Sequence, residues 1–238
     1  MHNINKTADW GVIFDLDGTM VSNTSYHRQA WFDLCERYHI PMNMDLYHQK
    51  VHARSNDKIV PNLFGPDVDQ AFIDKIEIEK ETLYRKTYGP VMKPTAGALA
   101  LLEALANENI PCAAATNSPK DNVDFILDGL KIRPRFKSIV CRDLVKVGKP
   151  DPEMLFMAAA GLNLPPQRCV LFEDSASGFK AARAAGMPCI AITAGADPGE
   201  LKEADCAAAV CEDFTQITVS ALADIVTANA DMPQSPKP

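Results

Sequence analysis

Gly11-Val12-Ile13-Phe14-Asp15-Leu16-Asp17-Gly18-Thr19 decides the reading of this chain, because an apolar run of strand length ends abruptly in two carboxylates, a glycine and a hydroxyl. A buried strand that delivers acidic groups at its C-terminal end puts them where open α/β sheets bind ligands. Two carboxylates this close resist joint ionisation unless a cation neutralises them, so the pair points to a hard, oxygen-liking metal such as magnesium. Taken alone, the same residues would equally serve as a solvated Asp-Gly turn.

Working outward, further apolar runs of strand length fall at residues 111–115, 138–141, 169–172, 188–193 and 207–211. Between most of them lie stretches with helical spacing, at 95–108, 121–130, 152–161 and 175–185, which end near Gly or Asn. Strands alternating with helices predict an α/β fold, a Rossmann-like parallel sheet with helices on both faces. Residues 22–92 break that rhythm. They look helical at 24–38, 43–51, 55–63 and 67–88 and offer no strand, which predicts an all-α cap domain inserted after the first strand and able to act as a lid. The expected organisation is a core of 1–21 and 93–229, a helical cap of 22–92, and a disordered tail at 230–238, where prolines accumulate and apolar residues are few.

Composition narrows the function. The 238 residues are 47% hydrophobic and 23% charged, the balance of a globular protein. A net charge of -7 and no basic stripe argue against a nucleic-acid partner, which demands clustered Lys and Arg. No window approaches the length of a membrane span, and the polar first nine residues lack the apolar stretch of a secretory signal, so a cytoplasmic protein without a membrane partner is expected. The seven cysteines are odd in number and mostly sit in apolar runs, as reduced buried thiols do. Oligomeric state leaves no mark in the sequence.

Three later segments end in groups that complement Asp15 and Asp17. Ala113-Ala114-Ala115 runs into Thr116-Asn117-Ser118, whose hydroxyl and amide groups suit a phosphate oxygen or, more plainly, the start of a helix. Gly148-Lys149-Pro150 presents a lysine in a stiff loop, and Leu171-Phe172 leads into Glu173-Asp174-Ser175-Ala176-Ser177-Gly178, where a serine can cap the next helix. Two acids, hydroxyls, a cation and a further acidic pair, converging on one sheet edge, are the parts that phosphoryl transfer through an aspartyl-phosphate needs.

Together these four motifs resemble the haloacid dehalogenase superfamily, and the helical insert is similar to the cap of its beta-phosphoglucomutase and phosphoglycolate phosphatase branch. The resemblance implies that Asp15 is the nucleophile and Asp17 the acid/base, with Thr116, Asn117 and Lys149 holding the transferring phosphoryl group and Ser118 beside it. It also implies a Mg2+ ion held by the Asp15 carboxylate, the Asp17 backbone carbonyl and Asp174, with Glu173 a direct or water-mediated ligand. In the cap, His27 resembles a histidine of the mutases, and His52, Arg54 and Asn56 lie in a stretch similar to the specificity loop. The mutases tend to carry Lys and Arg where this chain has His52 and Asn56, and Thr19 matches the phosphatase form of the first motif. The expected function is therefore hydrolysis of a small phosphorylated metabolite such as a sugar phosphate. A phosphomutase and a non-catalytic module binding a phosphorylated ligand are the alternatives.

Overall fold

A computed structural model describes residues 8–52, 54–196, 199, 201, 204–205 and 207–230. The chain divides into two compact units, Ser25–Val91 and the described part of Met1–Thr24 with Met92–Pro238.

The larger unit is built on a parallel sheet. Its strands are β1 (Gly11–Phe14), β2 (Cys112–Ala115), β3 (Ser138–Val140), β4 (Cys169–Glu173), β5 (Cys189–Ile192) and β6 (Ala209–Cys211). They run in the order β3-β2-β1-β4-β5-β6, so the chain leaves β1 toward one edge and returns to its other side with β4. That reversal is the point at which open α/β sheets form their ligand crevice. Register fixes what meets there: Phe14 pairs with Ala114 on one side and Phe172 on the other, which brings the residues after β1, β2 and β4 level with one another.

The four inner strands β1, β2, β4 and β5 are buried and, but for Glu173, apolar, because both faces are covered. On one face Ile13, Ala113, Ala115 and Leu171 pack with Met154, Leu155, Ala158, Phe179 and Ala182, from α7 (Glu153–Leu162) and α8 (Ala176–Ala185). Alternate residues point the other way, and there Phe14 stacks on Phe172 at 5.1 Å while Phe172 meets Phe214 edge-on at 5.1 Å. Each such pair adds about 0.5–1.5 kcal/mol beyond area burial. The larger unit also holds α5 (Ala98–Asn107), α6 (Lys120–Gly129) and α9 (Val219–Ala230).

Helix α9 was not expected. Its interior carries Val, Ile and Thr, which are indifferent helix formers, and only Leu222 and Val226, one turn apart, are buried, so its apolar stripe is thin. Ala230 is its last residue rather than the first of a tail, and the rest of the expected tail lies outside the described residues.

The smaller unit holds most of α1 (Thr24–Arg37) together with α2 (Met44–Lys50), α3 (Asn56–Phe64) and α4 (Gln70–Tyr88). Asn43 and Asp69 open α2 and α4 by accepting the Leu46 and Phe72 N–H groups, each at 2.8 Å. Trp31, Leu34, Tyr47, Ile59, Val60, Ile73 and Ile76 form its core. Residues 22–24 and Met92 group with the sheet instead of this unit, a shift from the expected 22–92 boundary. Val21 makes isolated bridges with Asp17 and Pro94, and Asn23 hydrogen-bonds back to the Asp17 turn.

Of the cysteines, Cys35, Cys112, Cys141, Cys169 and Cys189 are buried and free, as expected; Cys211 is half-buried and Cys206 lies outside the described residues. Burial pushes the Cys112 and Cys169 thiols up to about 12. Among the described residues no helix is long and apolar enough to cross a membrane.

Candidate active site

The first strand stops at Phe14, and the chain turns through Asp15-Leu16-Asp17-Gly18 at the sheet's C-terminal edge. Gly18 takes a φ of +82°, and a Cβ there would collide with the Asp174 carboxylate, so this turn requires glycine on both counts. Leaving that space open lets Asp174, just past β4, approach the first motif.

Lys149 reaches into the gap between β1 and β4. Its Nζ donates to Asp15 Oδ1 at 2.7 Å and to Glu173 Oε2 at 2.7 Å, and all three side chains are buried. Burial works against the lysine's charge, but Asp15 and Glu173 outweigh it and hold the ammonium protonated. The surplus negative charge falls on the acids. Burial raises the Asp15 carboxyl well above the usual carboxylate range, against the pull of Lys149 and with the push of Glu173. Asp174 is raised likewise by burial first, then by Glu173 and Asp15.

Oxygens of Asp15, Glu173 and Asp174 lie within 4.8 Å of one another. Three carboxylates against one ammonium leave two negative charges in excess, and a hard divalent cation that takes oxygen ligands fits that deficit. Glu173 is the least available of the three. Its Oε1 accepts the Asp174 N–H at 3.2 Å, the Ser175 N–H at 3.1 Å and the Ser175 hydroxyl at 2.8 Å, while Oε2 takes Lys149. Ser175 also caps α8 by accepting the Gly178 N–H at 3.1 Å. A Cβ on Gly178 would strike the Glu173 carboxylate, so the loop closes tightly on this residue. Asp174 accepts the Thr19 hydroxyl at 3.0 Å, and Thr95 Oγ1 in turn donates to the Thr19 carbonyl at 2.7 Å.

Asp17 stands apart from this cluster. Its Oδ1 accepts from Asn23 Nδ2 at 2.5 Å, its Oδ2 accepts the Ser118 hydroxyl, and Asn23 Oδ1 receives the Gly18 N–H at 2.9 Å. Asn23 is fully buried. Its hold on Asp17 was not read from the sequence.

Thr116, Asn117 and Ser118 follow β2 beside Asp15, and their side chains make hydrogen bonds within the protein. Thr116 is buried and accepts the Ser118 N–H at 3.2 Å. The Asn117 amide bonds to the Lys149 backbone, and the Ser118 hydroxyl to Asp17.

The other expected contacts lie in the Ser25–Val91 unit. His27 stacks on Tyr84 with ring centroids 3.7 Å apart, and its Nδ1 lies 2.7 Å from Lys80 Nζ, which donates to Glu81 Oε1 at 2.8 Å. Lys80 and Glu81 are buried, and no sequence signal singled them out because they lie 53 and 54 positions beyond His27. Arg54 is exposed and donates through Nη1 to the carbonyls of His52 at 3.0 Å and His48 at 3.3 Å, bracing its own loop. His52 is half-buried, its ring 5.1 Å from that of His48. Asn56 opens α3 and hydrogen-bonds Glu77, whose carboxyl burial pushes upward.

Comparison with known proteins agrees with this geometry. The pattern of the haloacid dehalogenase-like hydrolases matches residues 12–192. Hexitol phosphatase A of Escherichia coli K12 is 32% identical over 214 residues, covering 88% of this chain and 94% of that protein. Beta-phosphoglucomutase of Bacillus subtilis is 31% identical over 193 residues, covering 77% and 83%. The crystal structure of a family IA, variant 3 hydrolase from Entamoeba histolytica superposes with a TM-score of 0.84 at 28% identity, covering 92% of this chain and 99% of that one. With the sheet order, the four motifs and these likenesses in agreement, the chain belongs to the haloacid dehalogenase-like hydrolase family.

Proposed function

We propose that the protein is a magnesium-dependent phosphatase that hydrolyses a small phosphorylated metabolite of the sugar- or polyol-phosphate kind through an aspartyl-phosphate on Asp15. The observation that carries this reading is the pairing of Asp15 with Lys149 at 2.7 Å, inside a buried cluster with Glu173 and Asp174 and two residues from a separately held Asp17. The names of the hexitol phosphatase and phosphoglucomutase relatives support the substrate class. We read the Ser25–Val91 unit as the family's cap.

In the first step an Asp15 carboxylate oxygen attacks phosphorus, the ester P–O bond breaks, and Asp17 gives its proton to the departing alkoxide. In the second, Asp17 takes a proton from water as the water oxygen bonds to phosphorus and the Asp15–phosphorus bond breaks, releasing inorganic phosphate. Lys149 fixes the nucleophile's orientation and faces the charge that gathers on the transferring oxygens. Glu173, saturated by hydrogen bonds, acts chiefly as the anchor of Lys149. Magnesium, held by Asp15, Asp174 and the Asp17 carbonyl, supplies neutralisation of the excess negative charge when bound.

The test is release of free phosphate from a panel of sugar and polyol phosphates with magnesium, run beside Asp15→Asn. Release confined to the wild type is expected. Interconversion of glucose 1-phosphate and glucose 6-phosphate without free phosphate would replace hydrolysis by mutase action, and inertness across the panel would favour a binding module.

A further inference from the structure

Asn117 lies on an exposed turn, yet its side chain meets one peptide at two points. Nδ2 donates to the Lys149 carbonyl at 3.1 Å, and the Lys149 N–H donates to Oδ1 at 2.8 Å. The amide thus takes both the donor and the acceptor of a single residue 32 positions away, as a neighbouring strand would. Gly148 abuts the same amide: a Cβ there would stand 2.5 Å from Asn117 Oδ1 and 3.3 Å from Asn117 Cγ. Glycine at 148 is what allows this close approach.

Lysine is a flexible four-carbon stem, so placing Nζ on Asp15 and Glu173 together requires its backbone to be fixed. We propose that Asn117 is a positioning residue that clamps the Lys149 peptide and so sets Nζ between the two carboxylates, instead of binding the phosphoryl group through its side chain. The catalytic part of this proposal rests on the phosphatase reading above. The clamp itself does not.

Two measurements separate them. Hydrogen exchange at the Lys149 amide needs no substrate: Asn117→Ala speeds it by about tenfold or more, the worth of a lost hydrogen bond. Unchanged exchange would overturn the clamp. In steady-state kinetics on the substrate the wild type turns over, Asn117→Ala lowers kcat about tenfold with KM held, since Lys149 acts on the transition state. A raised KM with kcat held would mean that Asn117 binds substrate and would overturn the proposal. Gly148→Ala displaces the same amide and should mimic Asn117→Ala, while the double variant costs no more than either single one, because the Asn117 amide, the nearest obstacle to the added methyl, is then gone and only the flexible Arg142 side chain must give. Losses that multiply would overturn the shared mechanism. Should the wild type release no phosphate, the phosphatase reading fails while the exchange result still decides the clamp.

Discussion

Lys149 Nζ stands 2.7 Å from Asp15, just past β1, and 2.7 Å from Glu173 at the end of β4, so one buried ammonium ties together the ends of two neighbouring strands. Breaking a buried charge pair by removing one partner costs about 3–5 kcal/mol, because the remaining charges lose their counter-ion. Lys149→Met is therefore expected to lower the unfolding free energy by an amount in that range, seen as a lower urea midpoint, and to cut turnover by about 10²–10³-fold. Urea unfolding and phosphate release measure the two effects. An unchanged midpoint would mean that the acids are already neutral in the folded protein and the lysine serves catalysis alone.

The surplus of acid predicts how magnesium and pH interact. Folding raises the Asp15 and Asp174 carboxyls, chiefly through burial, so it disfavours their charged forms. For such groups the stabilising contribution is present below the ordinary carboxylate range, near about pH 4, and is lost as pH rises through the elevated folded value. In a chelator, stability should thus fall from mildly acid toward neutral pH. Magnesium needs the deprotonated ligands and opposes that fall, adding about 2.7 kcal/mol at a hundredfold excess over its Kd. The rise in thermal midpoint on adding magnesium should accordingly be larger at about pH 8 than at about pH 5. A shift independent of pH would show that the cation binds away from these carboxylates.

How much of this was legible in the sequence follows from the range of each interaction. Asp15, Lys149 and Asp174 stood out because each sits where an apolar strand or a stiff loop ends, a local feature that period and punctuation reveal. The strands lay within a residue or two of their expected bounds, and the inner ones, β1, β2, β4 and β5, are runs of four to five buried residues that stand out from the helical spacing around them. What escaped depended on partners remote in the chain. The Asn117 amide looked free until β2 and the Lys149 loop were brought side by side, and Ser118 meets Asp17 across 101 positions. His27 gained its partners only when α1 packed on α4, which placed Lys80 and Glu81 against it. Helix α9 escaped for a different reason: its stripe of two buried residues falls below what periodicity can separate from a loop.

Asn23 offers the sharpest test of how Asp17 is controlled. Both Asp17 oxygens accept hydrogen bonds, one from the Asn23 amide and one from the Ser118 hydroxyl, so the carboxylate is held in one orientation before any substrate arrives. A positioned acid/base contributes about 10²–10⁴-fold to rate, and that bounds what its misorientation can cost. Asn23→Ala removes one of these holds but leaves the Gly18 N–H bonded to the Val21 carbonyl at 2.8 Å, so the turn has a remaining partner and the fold should survive. Its kcat should fall by about tenfold, the worth of one charge-assisted hydrogen bond. Ser118→Ala should behave similarly. The double variant should lose more than either single one, because both of these holds on the carboxylate are then gone. If Asn23→Ala instead lowers the thermal midpoint while kcat stays at the wild-type value, the amide serves the packing of the turn, and the orientation of Asp17 must come from the substrate itself.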